Sequence, residues 1–414
     1  FGDEIWLAHG AKNENWDPAW TGGELSILKT DDWSLSNGLI AQEFGDVVAL
    51  NQNAGVTYAA SWQDGIAKMN GTEIEVIYNE TNSSLQKRAV YDDWMEIGDI
   101  QFDREGNMWC TNSQTFEPLS VLYSNGEWAS FSLGSDVSEY QDVAKMLIDQ
   151  NDQKWIQLKD NGIVVFDEKR SGLNIRKLMS GESVGNLASD RVFSFAEDLN
   201  GEIWVGTDNG VSVFYDPEDI FEGENASKVM VTLDDHNTYL LDGQRVNDIE
   251  IDGANRKWFA MNNSGVIVTS ENGTEEIHHF TSENSPLFSN KVLDIEINDV
   301  TGEVFFATDK GLISFRSGAT KGNGNFSEVL VFPNPVKPDY QGLITIQGLI
   351  TDAVVKITDI SGNLIYETVA LGGQAVWDGK SFEGKKAHTG VYLIFCSDED
   401  GNMTQVTKLL FVRG

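Results

Sequence analysis

The sequence predicts an all-β chain: a seven-bladed β-propeller over residues 1–316, a linker at 317–328 and a small immunoglobulin-like β-sandwich over 329–414. Three observations predict it. A two-strand hairpin pattern recurs at a spacing near 50 residues, the mark of stacked four-stranded units. The 414 residues hold 40 Gly and 7 Pro, a turn-rich composition with few helix-forming runs. After Phe315 the repeat stops, while short alternating segments continue to the end.

The clearest copy is DLNGEIWVGTDNGVSVF at residues 198–214. An Asp-x-x-Gly turn leads into a strand at 202–206, and a second turn at 208–210 leads into a strand at 211–214. Asn-Gly between two alternating apolar runs is the strongest short hairpin signal. Aligned on the central aromatic, the copies place Trp6, Tyr58, Trp109, Trp155, Trp204, Trp258 and Phe305 at intervals of 52, 51, 46, 49, 54 and 47 residues. Ahead of all but the first lies a further strand, at 45–50, 97–102, 143–148, 192–197, 246–251 and 292–297. These strands are followed by Asn51, Asp103, Asp149, Asp198, Asp252 and Asn298, residue types that open a turn by bonding their own backbone. A fourth strand is legible in several copies, as in GEWASFSL at 126–133. A lone four-stranded sheet exposes both faces, whereas sheets stacked around an axis bury them. The first copy lacks its inner strand and the seventh an evident outer one. This reading therefore expects closure to use residues upstream of Phe1 or an atypical pairing.

SGATKGNGN at 317–325 reads as a flexible polar linker with almost nothing apolar to bury, so the flanking domains are expected to move independently. Beyond it lie alternating segments at 329–332, 343–346, 354–357, 364–369, 391–395 and 407–412, with a Pro-Asn-Pro turn at 333–335. Some 85 residues of short strands without repeats predict the sandwich.

Charge and residue usage exclude several function classes. Lys and Arg total 29 against 65 Asp and Glu, a net charge of −36, which opposes nucleic acid and anionic membrane surfaces. No apolar run is long enough to span a membrane as a helix. Cys110 and Cys396 fall in different predicted domains, which argues against a disulfide and a thiolate metal site. His9, His236, His278, His279 and His388 lack zinc-ligand spacing, and the paired His278 and His279 point to opposite faces of a strand. Nucleophile elbow, HExxH, Walker and CxxC motifs are all missing, so a non-enzyme without a cofactor is expected.

The core of residues 198–211 resembles the regulator-type propeller repeat, with its second turn repeated as DKGL at 309–312 and DNGI at 160–163. Residues 289–292 (SNKV) resemble its lead-in. The C-terminal part resembles the sorting domain of the type IX secretion system of certain Gram-negative bacteria. That likeness rests on Pro333–Asn334–Pro335, VKITDISG at 355–362, Trp377–Asp378–Gly379, GVYL at 390–393 and KLLFVR at 408–413. A regulator-type propeller joined to such a domain is similar to the propeller component of the type IX sortase attachment complex. The resemblance implies a surface protein associated with the outer membrane, exported through the periplasm. It would bind proteins of the attachment complex, with anionic lipopolysaccharide or another glycan as a further ligand. It also implies an additional propeller upstream of Phe1. The alternative is a secreted type IX cargo, or a sensor-derived propeller, that binds a glycan.

Two constellations stand out as candidate sites. Long turns at 8–23 (AHGAKNENWDPAWTGG) and 112–118 (NSQTFEP) should rise from one face, flanking the copy that carries Trp62. Trp16, Trp20, Trp62 and Phe116 are the candidate ligand-binding residues, since exposed aromatics beside Asn and Asp suit sugars and protein interfaces alike. The competing reading folds Trp16 and Trp20 back over their own blade. Separately, Asp99, Asp248, Glu250, Asp294 and Glu296 lie at polar positions of the innermost strands and are expected to line an acidic axial channel. Polar contact between blades is the competing reading there. The acidic turns at 149–152 and 198–202 lack the full calcium-loop series and read as ordinary turns.

Overall fold

Why the strands form where they do follows from one local device, seen most clearly at Asp103, Asp149, Asp198 and Asp252. In the computed structural model each carboxylate is almost fully buried at the end of a strand and accepts the backbone N–H groups two and four residues on. Its second oxygen accepts the indole N–H of the tryptophan six residues on, at 2.9 Å for Trp109, 3.0 Å for Trp155, 3.4 Å for Trp204 and 2.8 Å for Trp258. A single side chain thereby closes the turn and fixes the central aromatic of the next strand. All four indoles are fully buried. The structure describes residues 4–10, 12–13, 16–29, 32–36, 44–90, 93–233, 236–326, 328–398 and 400–413.

The chain is all-β, its described helix being one 3-10 turn at Pro217–Glu222, and it divides into two compact units, Phe1–Lys228 and Val229–Gly414. The first unit holds five antiparallel sheets taken in chain order. The first sheet comprises Glu4–Ala8, Leu25–Lys29 and Asp32–Ser36; the second Val47–Asn53, Val56–Ser61, Gly65–Asn70 and Glu73–Tyr78. The third comprises Ile97–Phe102, Met108–Asn112, Leu119–Leu122 and Trp128–Phe131; the fourth Val143–Ile148, Lys154–Leu158, Ile163–Phe166 and Ile175–Leu178. The fifth has three strands, Val192–Glu197, Ile203–Thr207 and Gly210–Phe214, and Ser227 bonds along the outer edge at Val213.

Core side chains lie between sheets rather than in one centre. Leu25, Phe44 and Met69 pack between the first and second sheets, Ile66, Ile97 and Cys110 between the second and third. Trp109 and Ile156 fill the next layer, and Trp155 and Phe214 the one after. The first strands of the second to fifth sheets also neighbour one another in order. This is a propeller-like arrangement, predicted by the repeat. At the second sheet the sequence reading ends the strand too early. Asn51 stays in the strand and donates to Ile100 O of the next sheet at 2.9 Å, and the turn falls instead at Ala54 and Gly55, both left-handed.

The second unit carries the hairpin Met230–Leu233/His236–Tyr239 and two repeat sheets. One is Val246–Ile251, Lys257–Met261, Val266–Thr269 and Glu276–Phe280; the other is Val292–Asn298, Glu303–Thr308 and Gly311–Arg316. The same unit holds two C-terminal sheets. Leu330–Phe332, Ile344–Gln347 and Gln374–Trp377 form one; Leu364–Val369, Val354–Asp359, Gly390–Ser397 and Thr404–Phe411 form the other. They share a core of Ile346, Val355, Ile357, Trp377, Ile394 and Phe411. Asp359 repeats the turn device, accepting from Ser361 N and Asn363 N. Both cysteines are buried and free.

The polar stretch at 317–325 is not the free spacer its composition predicts. Ser317, Ala319 and Thr320 are buried, and Ser317 Oγ accepts Arg256 Nη2 at 2.7 Å. Lys321 N donates to Asp299 O, Asn323 N to Leu349 O, and Gly373 N to Thr320 O. Main-chain bonding replaces the missing apolar anchor, and glycine makes it sterically possible. A Cβ on Gly253 or on left-handed Gly372 would lie 1.9 Å from Thr320 O.

Two predictions follow from this local chemistry. Asp198→Ala leaves two turn N–H groups and one indole N–H unpaired, and should cost about 2–5 kcal/mol in urea unfolding, whereas Trp204→Phe should cost about 1–2; equal small losses would refute the role of the carboxylate. The native chain should resist limited proteolysis across 317–323, while Gly372→Ala should open that stretch to cleavage. Ready cleavage of the native chain there would restore the free-linker reading.

Candidate functional site

The two long turns do meet on one face of the first unit, through a continuous set of contacts. Asp46 anchors the 8–23 turn: its carboxylate accepts Trp20 N at 3.2 Å, Thr21 N at 2.7 Å and Thr21 Oγ1 at 2.9 Å, and it also bonds Gln63 Nε2. Trp16, whose N–H donates to Asn13 O at 3.0 Å, and Trp20, held by Asp46, have φ of 68° and 57°, a region bulky residues avoid unless the surroundings impose it. Residues 11, 14 and 15 of the turn lie outside the described residues.

Trp62 is not a ligand-facing residue. It is fully buried, donates its indole N–H to Trp16 O at 2.9 Å, and meets the Trp16 ring edge-on at 6.1 Å. Trp16 is half-buried, but against Trp62 of the second sheet and not over its own blade as the competing reading had it. Lys12 explains why: its ammonium sits 4.0 Å from the Trp16 ring centre and 4.3 Å from that of Trp62, so the turn places its own cation between two indoles. Burial, then Lys145, pushes the Lys12 amine down to about 7, against Asp142, Asp99 and Glu96.

Trp20 and Phe116 remain outward, each 67% exposed. Trp20 packs edge-on against Trp94 at 5.5 Å, and the Arg88 guanidinium lies 5.4 Å from the Trp94 ring. Arg88 also holds Gln114 Oε1, at 2.7 and 3.1 Å, and Glu96 at 3.0 Å. Gln114 Nε2 donates to Asp142 at 2.5 Å, and Asp142 pairs with Lys159 at 3.2 Å. The face thus runs from Trp20 through Trp94, Arg88 and Gln114 to Asp142, with Phe116 and Tyr140 projecting from it. Sequence reading missed Lys12, Arg88, Asp46 and Trp94. Only Trp94 left a signal, as an aromatic outside strand alternation just before Ile97–Phe102.

The acidic strand positions prove heterogeneous. Asp99 bonds Ile100 N at 2.7 Å and Met146 N of the next sheet at 2.9 Å; Asp248 accepts Ile295 N of its own neighbouring sheet at 3.1 Å. These two carboxylates act as contacts between sheets. Glu250 is partly buried, while Asp294 and Glu296 are water-exposed. Partial desolvation and then Asp248 raise the Glu296 carboxyl. Among the described residues, no three His, Cys, Asp or Glu side chains are grouped as a metal site, and no helix is long and apolar enough to cross a membrane.

Glu96 is the group whose charge should matter to this face. Burial raises it to about 7 despite Arg88, and Asp142 adds to the rise. The folded protein therefore holds a proton between pH 4.5 and about 7 that the unfolded chain has released, and stability falls as pH rises through that window. Glu96→Gln should remove this fall, gaining on the order of 1–3 kcal/mol near pH 8 and little near pH 4.5, read by urea unfolding at each pH. The same change at both pH values would reject the assignment.

No family model matches the chain, and no curated protein matches it. Among solved structures, the chain is similar to PorZ of Porphyromonas gingivalis, described as an essential bacterial surface component of the type-IX secretion system. The likeness has a TM-score of 0.71 and 24% identity and covers 100% of this chain. The extracellular domain of BT4673 from B. thetaiotaomicron matches with a TM-score of 0.52 and 12% identity, again over 100% of this chain. The chain spans 58% of the PorZ chain and 56% of the BT4673 chain. At these identities the comparisons establish the propeller-like all-β fold, which this chain shares with PorZ.

Proposed function

We propose that this chain is a non-catalytic surface component of a type IX secretion attachment complex. In this reading seven sheets close as a propeller, residues 329–414 form an immunoglobulin-like sorting-type domain, and the protein stands at the outer-membrane surface. It binds proteins of the sortase attachment complex through the Trp20–Phe116 face, with anionic lipopolysaccharide or another glycan as a further ligand. The observation that supports the proposal is the likeness to PorZ, which covers 100% of this chain and 58% of that one. The motifs at 333–335, 355–362 and 408–413 support the same reading.

A second reading, a sensor-derived propeller that binds a glycan, is favoured by the likeness to the BT4673 extracellular domain. One experiment separates them. A Trp20→Ala/Phe116→Ala variant, checked for unchanged melting, is titrated with the purified sortase complex and with anionic lipopolysaccharide. The proposal expects tenfold or weaker binding to the complex, since exposed aromatic anchors contribute about 1–3 kcal/mol at interfaces. Unaltered binding to both ligands removes this face from the proposal, and no binding of the native chain to the complex favours the sensor reading.

A further inference from the structure

Next in sequence to Trp94 lies a cleft of about 380 Å³, lined by the second sheet and by the connection that leads from it to the third. Phe44, Ile77 and Met95 form its apolar floor, and its charged lining is Asp64, Glu80, Asp93 and Lys87. Lys87 pairs with Glu80 at 2.9 Å. Asp64 accepts Gly45 N at 2.9 Å, and burial raises its carboxyl, with Asp46 adding to the rise and bonds from Gly45 and Ser61 opposing it. Asp93 is exposed. The cleft is tied to the aromatic pair on both sides: Gln63, in its wall, bonds the same Asp46 that holds Trp20, and Trp94 sits between the lining residues Asp93 and Met95.

We infer that this cleft receives an arginine or lysine side chain from an extended basic segment of a partner protein. Three observations converge on that occupant. The lining carries three carboxylates against one ammonium, so an entering cation gains and an entering anion loses. Trp94, between the lining residues Asp93 and Met95, already carries the Arg88 guanidinium against its ring, and Trp20, packed on Trp94, is 67% exposed and offers a further indole surface to a cation. The apolar floor suits the methylene stem of either side chain while its head stays among the carboxylates. The net charge of −36 supplies long-range attraction for a basic partner. The inference rests on reading this face as a docking surface, but not on the secretion role.

The test uses the full chain and the peptide Gly-Ser-Arg-Ser-Arg-Ser-Gly, with its lysine, glutamate and serine counterparts, followed by tryptophan fluorescence and by calorimetry for stoichiometry. The arginine and lysine peptides should bind saturably at one site, weaken with added salt, and outcompete the other two. Trp20→Ala should weaken binding about threefold to tenfold, and Glu80→Gln/Asp93→Asn about threefold or more. Glu182→Gln/Glu218→Gln, which removes the same charge from exposed positions remote in sequence, should leave binding unchanged. No binding of the basic peptides, several equivalent sites, equal loss in both double variants, or equal binding of the glutamate or serine peptide overturns the inference. Loss of peptide binding with an intact Trp20-dependent interaction with the sortase complex would defeat the cleft assignment alone. The reverse pattern would defeat the secretion role alone.

Discussion

The repeated fold depends on a buried carboxylate that bonds forward along its own chain. Asp103, Asp149, Asp198 and Asp252 each satisfy two turn N–H groups and the indole of the next strand's tryptophan. Burying an ionised group is costly unless its lone pairs are filled, and here several donors from one turn fill them. The balance differs between copies. At Asp103 burial pushes the carboxyl up, but donors from Trp109, Asn107 and the turn outweigh it and the net shift is downward. At Asp149, which is more deeply enclosed, burial prevails over Trp155 and its turn.

With hairpins fixed locally, the stacking of sheets needs only a few directional bonds beyond apolar packing. Thr111 Oγ1 donates to Ala144 O, Asn51 Nδ2 to Ile100 O, and Met146 N to Asp99. In the second unit Asn247 and Asp248 bond Val292 O and Ile295 N between its two repeat sheets. Polar side chains at first-strand positions therefore set the register between neighbouring sheets, work that the apolar layers cannot do because hydrophobic contact is not directional. Asp99 and Asp248 serve in this way as contacts between sheets.

The loop face is governed by a different balance. Asp46 joins Trp20 and Thr21 to Gln63, Gln114 joins Arg88 to Asp142, and Trp16 and Trp20 both keep left-handed backbone. Lys12, Lys159 and Arg88 lie against indoles of this face, and Trp20, Phe116 and Tyr140 are exposed on it. Strain and unpaired aromatic area of this kind concentrate where a protein meets other molecules.

The sequence by itself determined what short-range chemistry controls. The first strands at 97–102, 143–148, 192–197 and 246–251 fall where alternation and the following aspartate put them, because the turn and the strand share one local bonding pattern. It also located the two long turns on one face, since every copy of a repeat sends the same turn the same way. Tertiary structure decided the rest. Whether a loop tryptophan faces water depends on partners distant in sequence: Trp16 is claimed by Trp62 and Lys12, while Trp20 is not. The stretch at 317–323 is ordered by main-chain bonds to turns up to some 50 residues away, which composition cannot reveal. The strand Gln374–Trp377 is not among the alternating segments read from the sequence, because its pairing partner, Ile344–Gln347, lies far earlier in the chain. Local bonding is written into neighbouring residues; the use of a side chain is settled by what the fold brings to it.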